Sequence, residues 1–454
     1  MNEKLKEFEE NTPTSVTNYI EMSEANKPLL IYEGIFTIKD ENKELKIDGN
    51  ITFDWVPDSG VHFVGNPVDN KSNLFDIFDS KVYLKIFIDN LEFGEGFITH
   101  IGSHIKGVIS SYAVYGDKSI SVDQVLFSVP NLREFMGNGI KSKIDSRSTL
   151  WRGRIKLENE KYIINIDKEK DYKNLKNQLV AKGGYILMYR GELKSKKGSI
   201  SFEETKNLFH CLDTFLTFLN GRRTSAIAIN GIFEKESKWC DYTNYYVDQY
   251  KNVESWTQSH SIAGIDGLWK NFSKIWEKEE DRDFLTSAIH WYVEANNNSG
   301  FAEGSIIMAQ TALELIYNWW IIERKEMILG KDAESINAAN KIRLLISQLD
   351  IGYKIPKAFN KLEEFQKGET QILDGPDAVV QIRNAIVHSQ QEKRKKLSSI
   401  HSRAKYEALQ LCIWYIELSL LKILGYNQKY YNRTSNEMVR VKSEEDLPWL
   451  SNIV

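Results

Sequence analysis

Between residues 28 and 130 the hydrophobic positions come in short runs broken by Gly, Asn and Asp. Leu29-Leu30-Ile31-Tyr32, Gly34-Ile35-Phe36-Thr37-Ile38, Val82-Tyr83-Leu84-Lys85-Ile86-Phe87-Ile88 and Val122-Asp123-Gln124-Val125-Leu126-Phe127 are examples. Their alternation and their β-branched and aromatic content predict antiparallel strands at the spacing of a sandwich or barrel. Two more strands are predicted at 155–166 and 184–190. The period then changes. Phe202, Phe209, Leu212, Phe215, Leu216 and Leu219 recur at helical spacing up to the stop Asn220-Gly221, and 224–233 reads as a strand again.

From about residue 250 helical periodicity takes over, with helices predicted over 281–296, 301–327, 336–349, 357–366, 376–391 and 397–424. The segment 301–327 is apolar nearly all round, as a central bundle helix should be. No internal repeat and no low-complexity linker interrupts the chain. The pattern predicts an α+β protein, with a β-rich, sandwich-like or barrel-like domain over 1–250 and an all-α bundle over 251–454. A length of 454 residues suits two domains.

Composition removes several function classes. Hydrophobic content of 42%, aromatics at 12% and charged residues at 27% describe an ordinary globular chain. A net charge of −4 gives no global attraction to nucleic acid, so any RNA contact must come from local basic patches. No run of 18 apolar residues occurs, so no membrane contact is expected, and the first ten residues are charged without the apolar core of a secretion signal. Cys211, Cys240 and Cys412 are odd in number and widely separated, which fits a reducing, cytoplasmic setting.

The common catalytic signatures are missing: no Gly-rich phosphate loop ending in Lys-Ser/Thr, no Gly-x-Ser-x-Gly elbow, no His-Glu-x-x-His. His100 and His104 lie in strand-like sequence without a third obvious ligand, so zinc is not expected. His62, His210, His260 and His290 are scattered and read as structural. Chemistry without metal or cofactor is the expectation. Trp239, Tyr242, Tyr245, Tyr246 and Tyr250 cluster near the domain junction and read as packing rather than as a base-stacking platform.

The stretch richest in chemistry is Gly375 to His388. Pro376 suits the first turn of a helix, and Asp377 places negative charge at the positive end of its dipole. At about 100° per residue, Val379, Ile382 and Ile386 form an apolar stripe, while Asn384 and His388 share the opposite face. Arg383 lies between, with a stem long enough to swing its guanidinium toward His388. Arg394 and His401, with six residues between them, make a second arginine–histidine pair, and spacing alone does not choose between the two.

Arg383-Asn384-Ala385-Ile386-Val387-His388 resembles the Arg-Asn/His-x-x-x-His motif of HEPN-domain ribonucleases, in particular the Apea-like branch. The resemblance extends to Gln310-Thr311-Ala312-Leu313-Glu314-Leu315 and covers roughly 280–425. The strand–helix–strand ending of the first half is similar to the β-rich N-terminal domain that accompanies Apea-like HEPN domains. The family implies a metal-independent endoribonuclease, a homodimer joining one motif from each protomer, and a toxin-like role in bacterial antiphage defence. It implies an N-terminal domain that restrains the nuclease until a phage-derived trigger arrives, with tRNA or other structured cellular RNA as substrate.

In such a reaction the RNA 2′-hydroxyl attacks its own phosphate, and intramolecular attack can reach effective molarities of roughly 10⁵ to 10⁸ M. Few protein groups are then needed. His388 would be general acid or base, Arg383 would neutralise the growing phosphoryl charge, and Asn384 would orient phosphate or imidazole. Glu314, expected to be buried in an apolar helix, is either half of a structural ion pair or the acidic residue that the family implies reaches the site. Lys393, Arg394, Lys395 and Lys396, followed by Arg403 and Lys405, are either a solvated loop and helix start or phosphate contacts beside the cleavage site. Two non-catalytic alternatives remain: a dimeric binding protein with Arg383 and His388 in its interface, and a nucleotide-binding HEPN module.

Overall fold

The computed structural model describes residues 10–40, 43–68, 83–144, 147–243, 246–257, 262–297, 301–388, 390–435 and 444–450. It divides into two compact units, Met1–Asp213 with Thr224–Lys251, and Thr214–Arg223 with Asn252–Val454. The chain is α+β, with its strands concentrated in the first unit and its helices in the second.

In the first unit, β1 (Leu29–Lys39), β2 (Glu44–Asp54), β3 (Gly60–Pro67), β4 (Leu84–Ile88), β5 (Leu91–Ile101) and β6 (Ile105–Gly116) are all antiparallel to their neighbours. Because β3 pairs with β6 as well as with β2, the six close into a barrel. Closure removes the exposed edges that open sheets must protect. Alternate residues such as Phe36, Ile47, Ile51, Phe63 and Ile86 fill the interior. At Gly107 a Cβ would sit 2.1 Å from the Phe63 ring, so only glycine fits where that ring crosses.

The far end of β6 pairs with β13 (Glu236–Asp241) and carries the sheet on through β12 (Ile227–Phe233), β7 (Gln124–Pro130), β11 (Leu187–Ser195), β10 (Tyr162–Lys168), β9 (Arg147–Glu158) and β8 (Asn138–Ile144). The predicted strand over 155–166 is therefore a hairpin. Asn159 breaks it, its side-chain oxygen accepting from the Lys161 and Tyr162 N–H groups at 3.0 and 2.8 Å. Side-chain capture of backbone donors is a turn signal that alternation does not carry. Sequence reading also missed the helix α1 (Tyr172–Lys182). The next helix, α2 (Phe202–Asn220), matches its prediction to within one residue.

The second unit holds α3 (Ile265–Trp276), α4 (Glu279–Asn296), α5 (Ala302–Tyr317), α6 (Lys331–Ser335), α7 (Ala338–Gln348), α8 (Asn360–Gly368), α9 (Gly375–Val387), α10 (Gln391–Ser399) and α11 (Ser402–Ile423). Phe215 and Phe218 from the last turns of α2 join this core, edge-on to Trp269, Phe272 and Tyr292. The most buried of these helices is α11, in which every residue from Glu407 to Leu421 is covered.

Three helical predictions are corrected. The segment 301–327 is α-helical only to Tyr317 and continues as a π-turn, Asn318–Arg324, in which Trp319 stacks flat on Phe284 and donates to Asp281. The helix predicted over 376–391 ends at Val387, and 397–424 is two helices broken at Ile400 and His401. Apolar periodicity runs through all three interruptions, because the side chains on either side still pack on the same core. Among the described residues no helix is long and apolar enough to cross a membrane.

Candidate functional site

The site is built on α9, and its first turn is tied down three ways. Asp374 caps it, accepting from the Asp377 N–H at 3.0 Å. Arg343, on α7, forks onto the Asp374 carboxylate at 2.7 and 2.9 Å and reaches Asp377 at 3.2 Å. The hydrogen bond to Asp374 holds the guanidinium pKa above its ordinary value. Gly375 allows the close approach of this turn to α11, since a Cβ there would lie 2.7 Å from the Tyr415 hydroxyl oxygen. The predicted stripe then holds: Val379 and Ile382 are fully buried and Ile386 partly so.

The free side of α9 faces a cleft of about 230 Å³ whose lining includes Gln310, Thr311 and Glu314 of α5, Lys341 of α7, and Arg383. Two sequence candidates, Glu314 and Arg383, thus meet across 69 residues of chain. Gln310 fixes the spacing of the two walls, its side-chain amide donating to the Val379 carbonyl at 2.7 Å. Glu314 is not buried. Its side chain is 53% exposed and holds Lys341, itself 16% exposed, at 2.6 Å. The expected desolvation cost is avoided because the carboxylate sits at the mouth and the ammonium inside. Beneath the pair, burial raises the Tyr317 hydroxyl pKa above the usual tyrosine value, partly opposed by the Lys341 charge.

The guanidinium of Arg383 lines this cleft rather than swinging to His388, and its hydrogen bond is to Asn384 Oδ1 at 3.4 Å. Among the described residues no carboxylate pairs with it. His388 is the exposed C-cap of α9, its backbone N–H bound to the Asn384 carbonyl at 3.1 Å. It is not part of the cleft lining. The structure therefore brings Arg383 and Glu314 to one cleft, leaves Asn384 outside its lining as the acceptor for Arg383, and leaves the imidazole at the helix end.

The basic run is helical rather than looped, since Lys393, Arg394, Lys395 and Lys396 all fall on α10, which buries none of its side chains. Lys396 is held by Glu369 at 2.6 Å, Arg403 by Glu407 at 2.9 Å and Lys405 by Glu303 at 3.0 Å. At least three of the six cations thus serve the fold. In the rival pair, His401 caps α11, its Nδ1 accepting from the Arg403 N–H at 3.1 Å. A ring nitrogen used as acceptor carries no proton, which suits a structural cap.

Sequence reading missed Lys341 and Arg343, which carry no motif and gain meaning only from what faces them. It also missed the buried ion pair of the unit. Arg433, 1% exposed, is bound by Glu417, fully buried, at 2.6 and 2.9 Å, with Tyr292 and Gln410 completing the network. Burial opposes charge on Arg433, but the adjacent carboxylate outweighs it and the guanidinium stays protonated. Burial pushes the Cys240 and Cys412 thiols up to about 12, which removes them as nucleophiles. His104 pairs with Asn66 at 2.8 Å, and among the described residues no group of three potential ligands could hold a metal. Of the aromatic cluster, Trp239 is buried against Phe202, Tyr246 is exposed, and Tyr245 lies outside the described residues.

Residues 278–445 match the family model of the YopA C-terminal domain. Residues 117–253 match the YopA central domain. The chain is also 28% identical over 438 residues to the SPbeta prophage-derived uncharacterized protein YopA of Bacillus subtilis (strain 168), covering 93% of this chain and 95% of that one. No solved structure matches. The YopA C-terminal match contains the whole cleft and His388. The YopA central match begins where the barrel ends, at the boundary after Gly116.

Proposed function

We propose that the helical unit is a metal-independent endoribonuclease of the HEPN type, cleaving RNA through its own 2′-hydroxyl. The observation that carries the reading is the convergence of Glu314, Lys341 and Arg383, distant in sequence, on one cleft, with Arg383 five residues before an exposed imidazole. Arg383 has the planar fork for a phosphate and no carboxylate occupying it among the described residues. His388 stands at a solvent-facing helix end, where it can act as general acid or base on RNA lying across the surface. Its exposure also suits a second copy of the chain, and a homodimer would place two imidazoles about one shared groove. The prophage origin of the YopA relative supports a part in conflict between phage and host. In this reading the β-rich unit restrains a cytoplasmic antiphage toxin until triggered.

The test is total cellular RNA incubated in EDTA with the full chain taken from phage-challenged cells, where its trigger is present, wild type beside folded His388→Ala. Cleavage by the wild type, leaving 2′,3′-cyclic phosphate and 5′-hydroxyl ends and reduced about 10²- to 10⁴-fold in the variant, is the expected result. Equal cleavage by both, or ends of another type, would remove His388 from the reaction. A second reading, a non-catalytic binding protein, draws on the position of His388 outside the cleft. It predicts a wild type that binds RNA or nucleotide without scission and Arg383→Met that alters binding alone.

A further inference from the structure

We propose that the cleft is a phosphate site in which Lys341 and Arg383 take the anion and Glu314 is the internal carboxylate that the anion displaces. The proposal rests on the nuclease reading only for RNA as the source of that phosphate.

Lys341 has three donors on a compact charge, and Glu314 is its carboxylate partner at 2.6 Å. The ammonium is largely enclosed while the carboxylate is half exposed, so water competes for Glu314 and the pair is weakly held from that side. A phosphate entering the cleft offers Lys341 a replacement with more than one oxygen. It also reaches Arg383, which no described carboxylate satisfies and whose fork matches two phosphate oxygens. The Gln310 bond holds α5 against α9 and the Glu314 carboxylate holds Lys341 against α5, so the two cations are placed before the anion arrives. Glu314, once displaced, remains at the mouth beside the bound phosphate, an acceptor on the solvent side. As long as no anion is present, the same carboxylate screens the cleft and keeps Lys341 ordered.

This assignment makes a sign prediction that a merely structural ion pair does not. Inorganic pyrophosphate is titrated calorimetrically into the full chain in EDTA at low salt, with the melting transition of every variant recorded. The wild type should bind at one site per chain. Arg383→Met and Lys341→Met should each weaken binding about tenfold, as loss of a charged hydrogen-bond donor does, and Lys341→Arg should restore most of it. Glu314→Gln should tighten binding about threefold or more, because the competing charge is gone. Weaker or unchanged binding in Glu314→Gln, wild-type binding in Lys341→Met, or no wild-type binding at millimolar pyrophosphate would each overturn the proposal. Pyrophosphate binding without RNA scission, and without His388-dependent toxicity under phage challenge, would leave the cleft standing and sink the nuclease. RNA scission without pyrophosphate binding would do the reverse.

Discussion

Two histidines, thirteen residues apart, show how a residue's partners decide its meaning. His401 has its Nδ1 committed to the Arg403 N–H and opens α11, whereas nothing among the described residues hydrogen-bonds the His388 imidazole. Replacing His401 by alanine should therefore cost about 1 kcal/mol in urea unfolding, the usual worth of an N-cap, and leave RNA cleavage intact. Replacing His388 should change stability by less than about 0.5 kcal/mol, as exposed substitutions do, and cut cleavage about 10²- to 10⁴-fold. A His401→Ala variant that folds and yet loses cleavage would return the choice to the Arg394 pair. The sequence offered both pairs at similar spacing. What separated them was a backbone donor two residues past His401, and that exists only once α11 starts there.

At the scale of the element, α9 owes its position to its first turn more than to its stripe. Val379 and Ile382 would bury themselves against many apolar surfaces, but the Arg343 fork on Asp374 fixes which end of α9 meets α7. Asp374→Ala removes the cap and the forked partner of a partly covered guanidinium, leaving it Asp377 and Asn340, so a loss of about 2 to 3 kcal/mol is expected in urea titration. Asp374→Asn keeps the cap acceptor and should lose roughly 1 kcal/mol. Equal losses would mean that the charge contributes nothing. The start of α9 was legible from Pro376 and Asp377, because capping chemistry is local. Its end was not: the apolar and polar pattern of 376–391 continues past Val387, and only His388, with ψ of 99°, turns the chain out of the helix.

On the scale of the whole molecule, the two compact units do not divide at one point in the sequence. Thr214–Arg223 belong with the helical unit although α2 begins in the β-rich one, and Phe215 and Phe218 fill rings in the helical core. A fragment starting at residue 252 lacks both rings and should melt lower, bind a hydrophobic dye and tend to aggregate. A fragment starting at residue 202 should keep a cooperative transition. Indistinguishable melts would show that these rings add little to the core. The predicted division between 250 and 251 follows the change of period, but periodicity cannot report which core an amphipathic helix shares.

The amino-acid sequence by itself determined the order of a β-rich half and a helical half, the span of α2, the start of α9 and the buried stripe upon it. Each depends on contacts within a few turns or on a repeated burial pattern, and such signals survive in a linear chain. Closure of the barrel, the π-turn after α5, the breaks in the last long helical run and the Arg433–Glu417 pair were decided by tertiary structure. They depend on which distant groups happen to face each other. The cleft belongs to both: Arg383 and Glu314 stood out in the sequence, but Lys341, which gives their meeting a charge, could be found only across the gap between α5 and α7.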